Sequence, residues 1–293
     1  MTLDIKRIKF ELTHIYRSIK SSAWLGWQIE SNWTDPLLFG IYTFAKPVAS
    51  ALILVVMYLV VSRVPTSSPF FAYMYVGNAF YLFVANILFG ISWVIMEDRE
   101  FFEMIKYIYT SPIRMFLYLF GRGLAKITIT TLAVIITLAF GILFLKLPIH
   151  PARVDWGLLL LALVVGLWGI VSLGMILAAI SMLVARHSGY LNEGVSGLFF
   201  LLCGAIFPIE VLPGWLQPVS KALPFTYWLE AIRRAVLPGQ GSLSPSLAGF
   251  TTGSLFVILL ATTLLLALAS RWIFHLCEST ARRKGWIDRR TDY

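Results

Sequence analysis

Charged residues are scarce in this sequence: they make up 13% of its 293 residues, whereas hydrophobic residues make up 58%. Ordinary soluble domains contain about 25% charged residues. With so few charged residues, the chain cannot cover the surface of a soluble domain with polar groups. The composition therefore excludes a soluble protein. The composition instead predicts a chain that uses lipid as part of its solvent.

The sequence also lacks the residue patterns of metal sites and enzymes. It has two cysteines, Cys203 and Cys277, and four widely spaced histidines, with no CxxC or HExxH motif. These absences exclude a disulfide framework and the common zinc sites. It also has no GxxxxGK[ST] phosphate loop and no GxSxG motif. We therefore predict that this chain has no catalytic residue, metal or cofactor of its own.

Six charge-poor stretches approach or exceed the 20 or so residues that a membrane-spanning helix needs. They are Thr43–Ser62, Phe71–Met96, Arg114–Leu145, Trp156–Ala185, the shorter Leu191–Phe207, and Leu247–Phe274. The predicted fold is an all-α polytopic membrane protein with six transmembrane helices. The six-span domain covers residues 43–275, preceded by a segment 1–42 and followed by a basic tail 276–293.

The basic residues predict the orientation of the spans. The chain has 24 Lys and Arg against 15 Asp and Glu, and cytoplasmic loops of membrane proteins carry an excess of Lys and Arg. Assigned to the loops in turn, 18 of them fall on the side of both termini and 6 on the other side. We therefore expect cytoplasmic termini, and we attribute the net charge to topology rather than to nucleic-acid binding.

The N-terminal segment has a helical pattern of apolar residues over positions 3–20. These residues are Ile5, Ile8, Leu12, Ile15 and Ile19, with basic residues elsewhere around the helix. The pattern predicts an amphipathic helix that lies along the cytoplasmic surface of the membrane. The alternative is a helix packed on a partner protein.

Between the second and third predicted spans, Glu97–Ser111 has acidic residues in its first turns, where the helix dipole favours them. Phe101, Ile105 and Ile108 fall on one helical face, and Pro112 ends the segment. The pattern predicts a short amphipathic helix on the cytoplasmic side. The alternative is a solvated connector without a partner.

Between the fifth and sixth predicted spans, Pro208–Gly241 is apolar but is interrupted by prolines. Irregular backbone at membrane depth requires shielding by protein or by a water-filled cavity. We therefore predict a helical hairpin that dips back into the outer leaflet. The alternative is a surface loop that faces lipid.

Polar residues within the spans are few, and no Asp or Glu lies in the middle of a predicted span. Since ion-coupled transporters use such residues, their absence argues against a proton- or sodium-driven mechanism. Asn78 and Asn86 either bond to neighbouring helices or contact a substrate. Together with Phe199 and Phe200, they are the candidates for a substrate path.

Two stretches together resemble the type-2 (ABC-2) permeases of ATP-binding-cassette exporters. The first has Glu-Asp-Arg-Glu at 97–100 and Ser-Pro-Ile at 111–113. The second has Phe-Pro-Ile-Glu at 207–210, Leu-Pro-Gly-Trp-Leu-Gln-Pro at 212–218, Leu-Pro-Phe-Thr-Tyr at 223–227 and Glu-Ala-Ile-Arg-Arg at 230–234. The resemblance covers essentially the whole chain. It departs at 101–104, where Phe-Phe-Glu-Met replaces the Gly-Thr-Leu-Glu that is common in the family.

The resemblance implies two functional segments. A coupling helix that docks on an ATPase would contain Glu97, Asp98, Arg99, Glu100, Phe101, Phe102, Ile105 and Tyr109. An outer gate hairpin would contain Pro208, Glu210, Pro213, Trp215, Pro224, Tyr227, Glu230 and Arg233.

The resemblance also implies partners and a location. Two ATPase subunits would hold ATP and Mg on separate chains, and a second permease copy or a paralogous permease would complete the complex. The expected place is the plasma membrane of a bacterium or archaeon. The expected cargo is amphipathic, lipid-linked, polysaccharide or drug-like. The alternatives are a secondary transporter and a membrane assembly protein that transports nothing.

Overall fold

The computed structural model of the chain describes residues 2–32, 35–62, 68–184, 188–239 and 243–287. Several residues that entered the sequence predictions lie outside these ranges. They are Arg63, Ala185, Arg186, Gly241, Arg289 and Arg290.

Within these ranges the chain is helical and forms no β-strand, which confirms the predicted all-α fold. The α-helices are α1 Thr2–Asn32, α2 Pro36–Ser62, α3 Pro69–Met96, α4 Ile105–Thr110, α5 Met115–Leu143, α6 Trp156–Leu183, α7 Ser188–Leu202, α8 Gln217–Ala222, α9 Pro224–Val236, α10 Pro245–Ala248 and α11 Thr252–Arg283. A π-helical turn follows α3, and short 3₁₀ turns precede α6 and α8.

Five helical segments in the described ranges are long and apolar enough to cross a membrane. They are Leu37–Val60, Pro69–Phe101, Met115–Leu143, Trp156–Leu183 and Thr252–Arg283. They correspond to the first four predicted spans and the last. The helix at the fifth predicted span, α7, has 15 residues, fewer than the 20 or so that a crossing needs.

Polar caps set where three of these helices begin. Ser68 precedes Pro69 at the start of α3, and its hydroxyl accepts a hydrogen bond from the Phe71 amide. Asp155 accepts one from the Leu158 amide at 3.0 Å, and Thr251 accepts one from the Ser254 amide at 3.2 Å. Each cap satisfies a backbone N–H that the first turn leaves without a helical acceptor.

Helix α3 lies at the centre of the bundle. It packs against α5, α6, α7 and α9, while α6 also packs against α11. Its surface is apolar nearly all round, which is the pattern of a helix enclosed by others. Small residues bring the neighbours close: a methyl group at Gly174 of α6 would lie 3.2 Å from Ile91 of α3.

The bundle has two distinct ends. At the end that we call the α4 end, the Arg282 guanidinium lies 4.7 Å from the Tyr109 ring centroid, so α11 finishes beside α4. At the opposite end, which we call the α9 end, the Asp155 amide donates to the Ala235 carbonyl at 3.0 Å. The start of α6 therefore lies beside the end of α9.

Helix α7 runs alongside α3 in the opposite direction. Near its start, Asn192 Oδ1 accepts a hydrogen bond from Ser92 Oγ at 2.9 Å. Beyond its end, the Ala205 carbonyl lies so close to Gly77 that a methyl group there would collide with it. Residues 192–205 therefore extend along the same length of bundle as 77–92 of α3, which is about 22 Å.

Helix α1 packs on the first half of α5 through small residues. A methyl group at Gly121 would lie 2.6 Å from Ser22 Cβ, and one at Gly26 would lie 3.0 Å from Ala125 Cβ. An ion pair between Lys126 and Glu30 continues this seam. Small residues on both sides let the two backbones approach closely.

The α1 packing differs from the predicted apolar stripe. Leu12, a member of that stripe, is 61% exposed, and Ile15 and Ile19 are half-buried. The side chains of Ile5 and Ile8 lie outside the described part of the structure. Where α1 approaches α5 most closely it carries Ser22 and Gly26, because close backbone contact leaves no room there for a larger side chain.

Candidate functional site

The chain reverses direction at the α4 end through a turn rather than a continuous helix. Helix α3 continues into the π-helical turn Glu97–Phe101, and the Met104 amide then bonds to the Asp98 carbonyl at 2.8 Å. Glu103 has φ 53°, in the left-handed region that ends regular helix. The prediction of one helix over Glu97–Ser111 is therefore wrong, and the segment is a turn followed by the six-residue α4.

A buried arginine holds this turn. Arg122 of α5 is almost wholly buried, and its Nη2 donates to Glu97 Oε2 at 2.7 Å. Its Nη1 donates to Tyr118 Oη at 2.9 Å and to Asp98 Oδ1 at 3.4 Å. Burying charge is costly unless it is paired and hydrogen-bonded. Arg122 meets both conditions, whereas Asp98 is paired through Oδ1 alone and its Oδ2 has no hydrogen-bond partner among the described residues.

The cluster corrects part of the predicted docking surface. Asp98 and Arg99 are buried, and Arg99 Nε pairs with Glu100 Oε1 at 3.3 Å. Both were predicted on an exposed face; Asp98 is buried instead because its partner, Arg122, lies more than 20 residues further along the chain and could not be seen from the local pattern. In the structure these charges stabilise the turn and do not face outward.

The aromatic residues of the turn do face outward. Phe101 is 66% exposed and Phe102 is 47% exposed, whereas Ile105 is 1% exposed and packs in the core. The predicted common face of Phe101, Ile105 and Ile108 is therefore wrong: both isoleucines point into the bundle. Tyr109 is half-buried beneath Arg282, and burial raises the pKa of its hydroxyl above its ordinary value.

At the α9 end, two short helices, α8 and α9, are joined at Leu223. Helix α9 is buried along most of its length, and the Trp228 indole N–H donates to the Ala162 carbonyl of α6 at 2.9 Å. A methyl group at Gly166 would collide with that indole. The sequence therefore places a glycine where α6 must admit a tryptophan ring.

Arg233 ties α9 to two other segments. Its Nη2 donates to the carbonyls of Gly204 and Ala205, at 2.7 and 2.8 Å, and its Nε donates to the Tyr73 carbonyl at 3.2 Å. Its guanidinium also lies 3.8 Å from the Tyr73 ring centroid. A guanidinium has five donors in one plane, so a single side chain joins α3, α9 and the turn after α7.

The other charged residues of the hairpin hold the loop before α11. Glu230 pairs with Arg234 at 3.1 Å, and Arg234 donates to the carbonyls of Leu247 and Phe250, each at 2.8 Å. Glu210 accepts hydrogen bonds from the hydroxyls of Ser244 and Ser246 and from the Ser246 amide. Although burial alone raises its pKa, the Ser246 and Ser244 hydrogen bonds hold the pKa of Glu210 below its usual value.

The remaining hairpin residues occupy varied positions. Trp215 is 76% exposed and Pro213 is exposed beside it, while Pro208 is half-buried and Pro224 is buried. Tyr227 is buried, and its hydroxyl donates to the Lys221 carbonyl at 2.7 Å. The segment just before α8 is therefore an exposed part of the hairpin.

The four candidates for a substrate path lie on α3 and α7. Asn78 is buried and Asn86 is half-buried. Phe199 packs against Phe225 with ring centroids 5.6 Å apart, and Phe200 packs against Tyr81 at 4.8 Å. The two phenylalanines thus join helices within the chain.

The model of the ABC-2 type transporter family matches residues 20–237, which include the α4 end, the α7 segment and α9. This match covers well over half of the chain. The chain belongs to the ABC-2 type transporter family. A comparison with curated proteins finds no match. The predicted resemblance is confirmed, and membership makes the chain a multi-pass membrane protein of an ABC-type transporter.

Membership in the ABC-2 family also implies, in general, an ABC ATPase as partner, and it is consistent with a chain that is not an enzyme itself. Among the described residues, no group of three or more His, Cys, Asp or Glu is arranged to hold a metal ion.

Sequence reasoning missed the residues that organise this ABC-2 transporter internally. Arg122, Lys126 and Asn192 bind partners that lie far away in the sequence. One signal was present: Tyr118, Arg122 and Lys126 recur every four residues, which places them on one face of α5. That face of α5 contacts α1 and the acidic turn after α3. The four-residue spacing therefore indicated that these three side chains have partners inside the bundle.

Proposed function

We propose that this chain is the transmembrane subunit of an ABC exporter driven by ATP hydrolysis on separate subunits. Two copies of the chain, or this chain and a paralogous permease, would work with two ATPase subunits that hold ATP and Mg. The observation that supports the proposal best is the pair of exposed phenylalanines, Phe101 and Phe102, on a turn held by the buried Arg122 cluster.

The exposed pair suits docking because its backbone is fixed. Phe101 closes the π-helical turn, and the Phe102 amide bonds to the Glu97 carbonyl at 2.9 Å. Glu97 is in turn bound by Arg122. Rigid aromatic anchors lose little conformational entropy on binding and commonly dominate interface energies, at about 2 kcal/mol or more each. A displacement of these two rings by a docked subunit would be transmitted to α5 through Arg122.

We propose a six-span topology in which α7 and the turn after it form the remaining crossing. Two contacts support it: Asn192 with Ser92 near the α4 end, and Ala205 with Gly77 near the α9 end. With six crossings, both termini lie on the cytoplasmic side, and α8 and α9 lie at the outer side. The plasma membrane of a bacterium or archaeon is the proposed location.

We propose that the hairpin of α8 and α9 dips into the membrane and caps the outer end of the translocation path. Its buried part is tied to α3 by Arg233 and to α6 by Trp228, while Trp215, just before α8, is exposed. A cap must be anchored on one side and movable on the other, and this division supports that role.

The proposed cargo is amphipathic: a lipid-linked molecule, a polysaccharide or a drug-like compound. In the described spans, Asp and Glu occur only near helix ends. Transporters driven by an ion gradient use acidic residues inside their spans to bind the ion, and these spans offer none there. Ion coupling is the main competing mechanism, and this distribution favours ATP as the energy source.

The experiment is transport by the permease reconstituted with its ATPase, with Phe102 replaced by aspartate. We expect Phe102→Asp to lose ATP-driven transport and ATPase co-purification while the permease still inserts and folds. Phe102→Leu keeps an apolar anchor and should retain most activity. Trp215→Asp changes an even more exposed aromatic at the other end and should leave ATPase binding unchanged. Normal co-purification and transport by Phe102→Asp would refute docking at this turn.

A further inference from the structure

An open groove runs along α1 at the α4 end, where α1 meets the start of α5. Its larger part, about 400 Å³, is lined by Lys9, Phe10, His14 and Arg17, among others. Its smaller part, about 190 Å³, shares Phe10 and His14 and adds Arg114, among others. We call this feature the α1–α5 groove. It is distinct from the phenylalanine turn described above.

The groove has a net positive charge. Lys9, Arg17 and Arg114 line it with a single carboxylate, that of Glu11. The ion pairs formed within the described ranges use other basic residues: Arg99, Arg122, Lys126, Arg234 and Arg282. Among the described residues, Lys9, Arg17 and Arg114 form no ion pair, so the groove keeps an excess of positive charge that an anionic ligand would complement.

The groove also has apolar walls. Phe10 is 73% exposed, and Leu117 lines the smaller part opposite it. Free phosphate would gain nothing from these side chains, whereas a lipid would place its first acyl carbons against them. The combination of cations and apolar surface fits a molecule with a charged head and a hydrocarbon chain.

The depth of the groove matches the headgroup layer of a membrane. Phe116, next to Leu117, lies beneath Arg271 of α11, with 5.9 Å between the guanidinium and the ring centroid. Trp272 of α11 is exposed at the same level. Tryptophan and arginine at the end of an apolar helix mark the membrane–water interface, so the start of α5 lies at headgroup depth.

We propose that the α1–α5 groove binds the phosphate headgroup of an anionic phospholipid in the cytoplasmic leaflet. Arg114, Lys9 and Arg17 supply the charge, and Phe10 and Leu117 contact the first carbons of the acyl chain. Basic pockets beside transmembrane helices on the cytoplasmic side are suited to such headgroups. The proposal rests on the cytoplasmic placement of α1 under the proposed function.

Native mass spectrometry of the full chain in detergent tests this site, with phosphatidylglycerol and phosphatidylcholine of the same acyl chains as probes. The wild type should retain phosphatidylglycerol preferentially. Arg114→Gln and Lys9→Gln should each weaken its retention about five-fold, since one surface charge is lost in each. Arg114→Lys should retain it. Arg283→Gln removes an exposed basic residue of the C-terminal helix outside the groove and should change nothing.

Four results would overturn the proposal. They are equal retention of phosphatidylcholine, equal loss in Arg283→Gln, displacement of the lipid by inorganic phosphate, and, when the ATPase subunit is added to the same measurement, loss of that subunit instead of lipid in Arg114→Gln. The last result would assign the groove to an acidic protein surface. The proposed topology is tested separately by labelling a cysteine at position 106, which should react only from the cytoplasmic side.

Discussion

The two ends of the bundle differ in what their buried arginines bind: Arg122 binds carboxylates at the α4 end, and Arg233 binds backbone carbonyls at the α9 end. At the α4 end, the charged residues Arg122 and Asp98 are inside, and Phe101 and Phe102 are outside. At the α9 end, Trp228 is inside, while Arg234 binds backbone carbonyls of the loop before α11. Exposed aromatics on a charged, fixed base suit a contact with another chain, whereas buried aromatics hold the hairpin to its own bundle.

The largest expected effect comes from removing the charge that holds the α4 end. Arg122→Met leaves the buried carboxylate of Asp98 and the half-buried carboxylate of Glu97 without their cation, which should lower the free energy of unfolding by about 3–5 kcal/mol. Thermal unfolding of the purified chain measures the loss. The control is Arg282→Met, which breaks an exposed pair with Glu278 and should cost about 1 kcal/mol or less. Similar losses in both variants would refute the special role of the Arg122 cluster.

A smaller effect is expected where the α9 end is packed. Gly166→Ala puts a methyl group against the Trp228 indole, so either α6 or the indole ring must shift. This shift should lower the free energy of unfolding by about 1–3 kcal/mol. If the hairpin caps the path, its loosening should also raise basal ATP hydrolysis in the assembled transporter.

The control for the glycine is Gly194→Ala on α7, where a methyl group meets no neighbouring atom. It should be neutral or stabilise the helix by up to about 1 kcal/mol. An unchanged unfolding temperature and unchanged basal hydrolysis in Gly166→Ala would contradict both the packing argument and the cap.

The helical fold, the apolar spans and the family were predictable from the sequence. Composition and periodicity predicted an all-α membrane protein, and five of six proposed spans coincide with long apolar helices. Those signals are local and depend on residue type alone. Motif resemblance predicted the family, because the order of Pro, Trp and Arg after position 207 is preserved.

The arrangement of the two ends was not predictable in the same way. An amphipathic pattern shows which residues share a face, but not which face meets a neighbour. Asp98 and Ile105 are buried because Arg122 and the bundle core cover them, and those contacts join residues distant in sequence. Likewise, the face of α1 that meets α5 carries Ser22 and Gly26, which hydropathy does not mark.

The smallest expected effect is a dependence on pH at the α9 end. The pKa of Glu210 is lower in the folded chain than the value of about 4.3 expected when unfolded. Its contribution to stability is therefore complete above that value and is lost as the pH falls through the lower folded pKa. As the pH is lowered from 5, the unfolding temperature of the wild type should fall more steeply than that of Glu210→Gln. Parallel curves would show that this carboxylate does not stabilise the loop.

The central claim is that Phe101 and Phe102 contact an ATPase, and site-specific photocrosslinking tests it most directly. A photoreactive phenylalanine analogue is placed at position 102 in the assembled transporter, and a matched one at position 215. We expect crosslinks to the ATPase from position 102 and none from position 215. Crosslinks from 102 to lipid alone, or to the ATPase from 215, would contradict that claim.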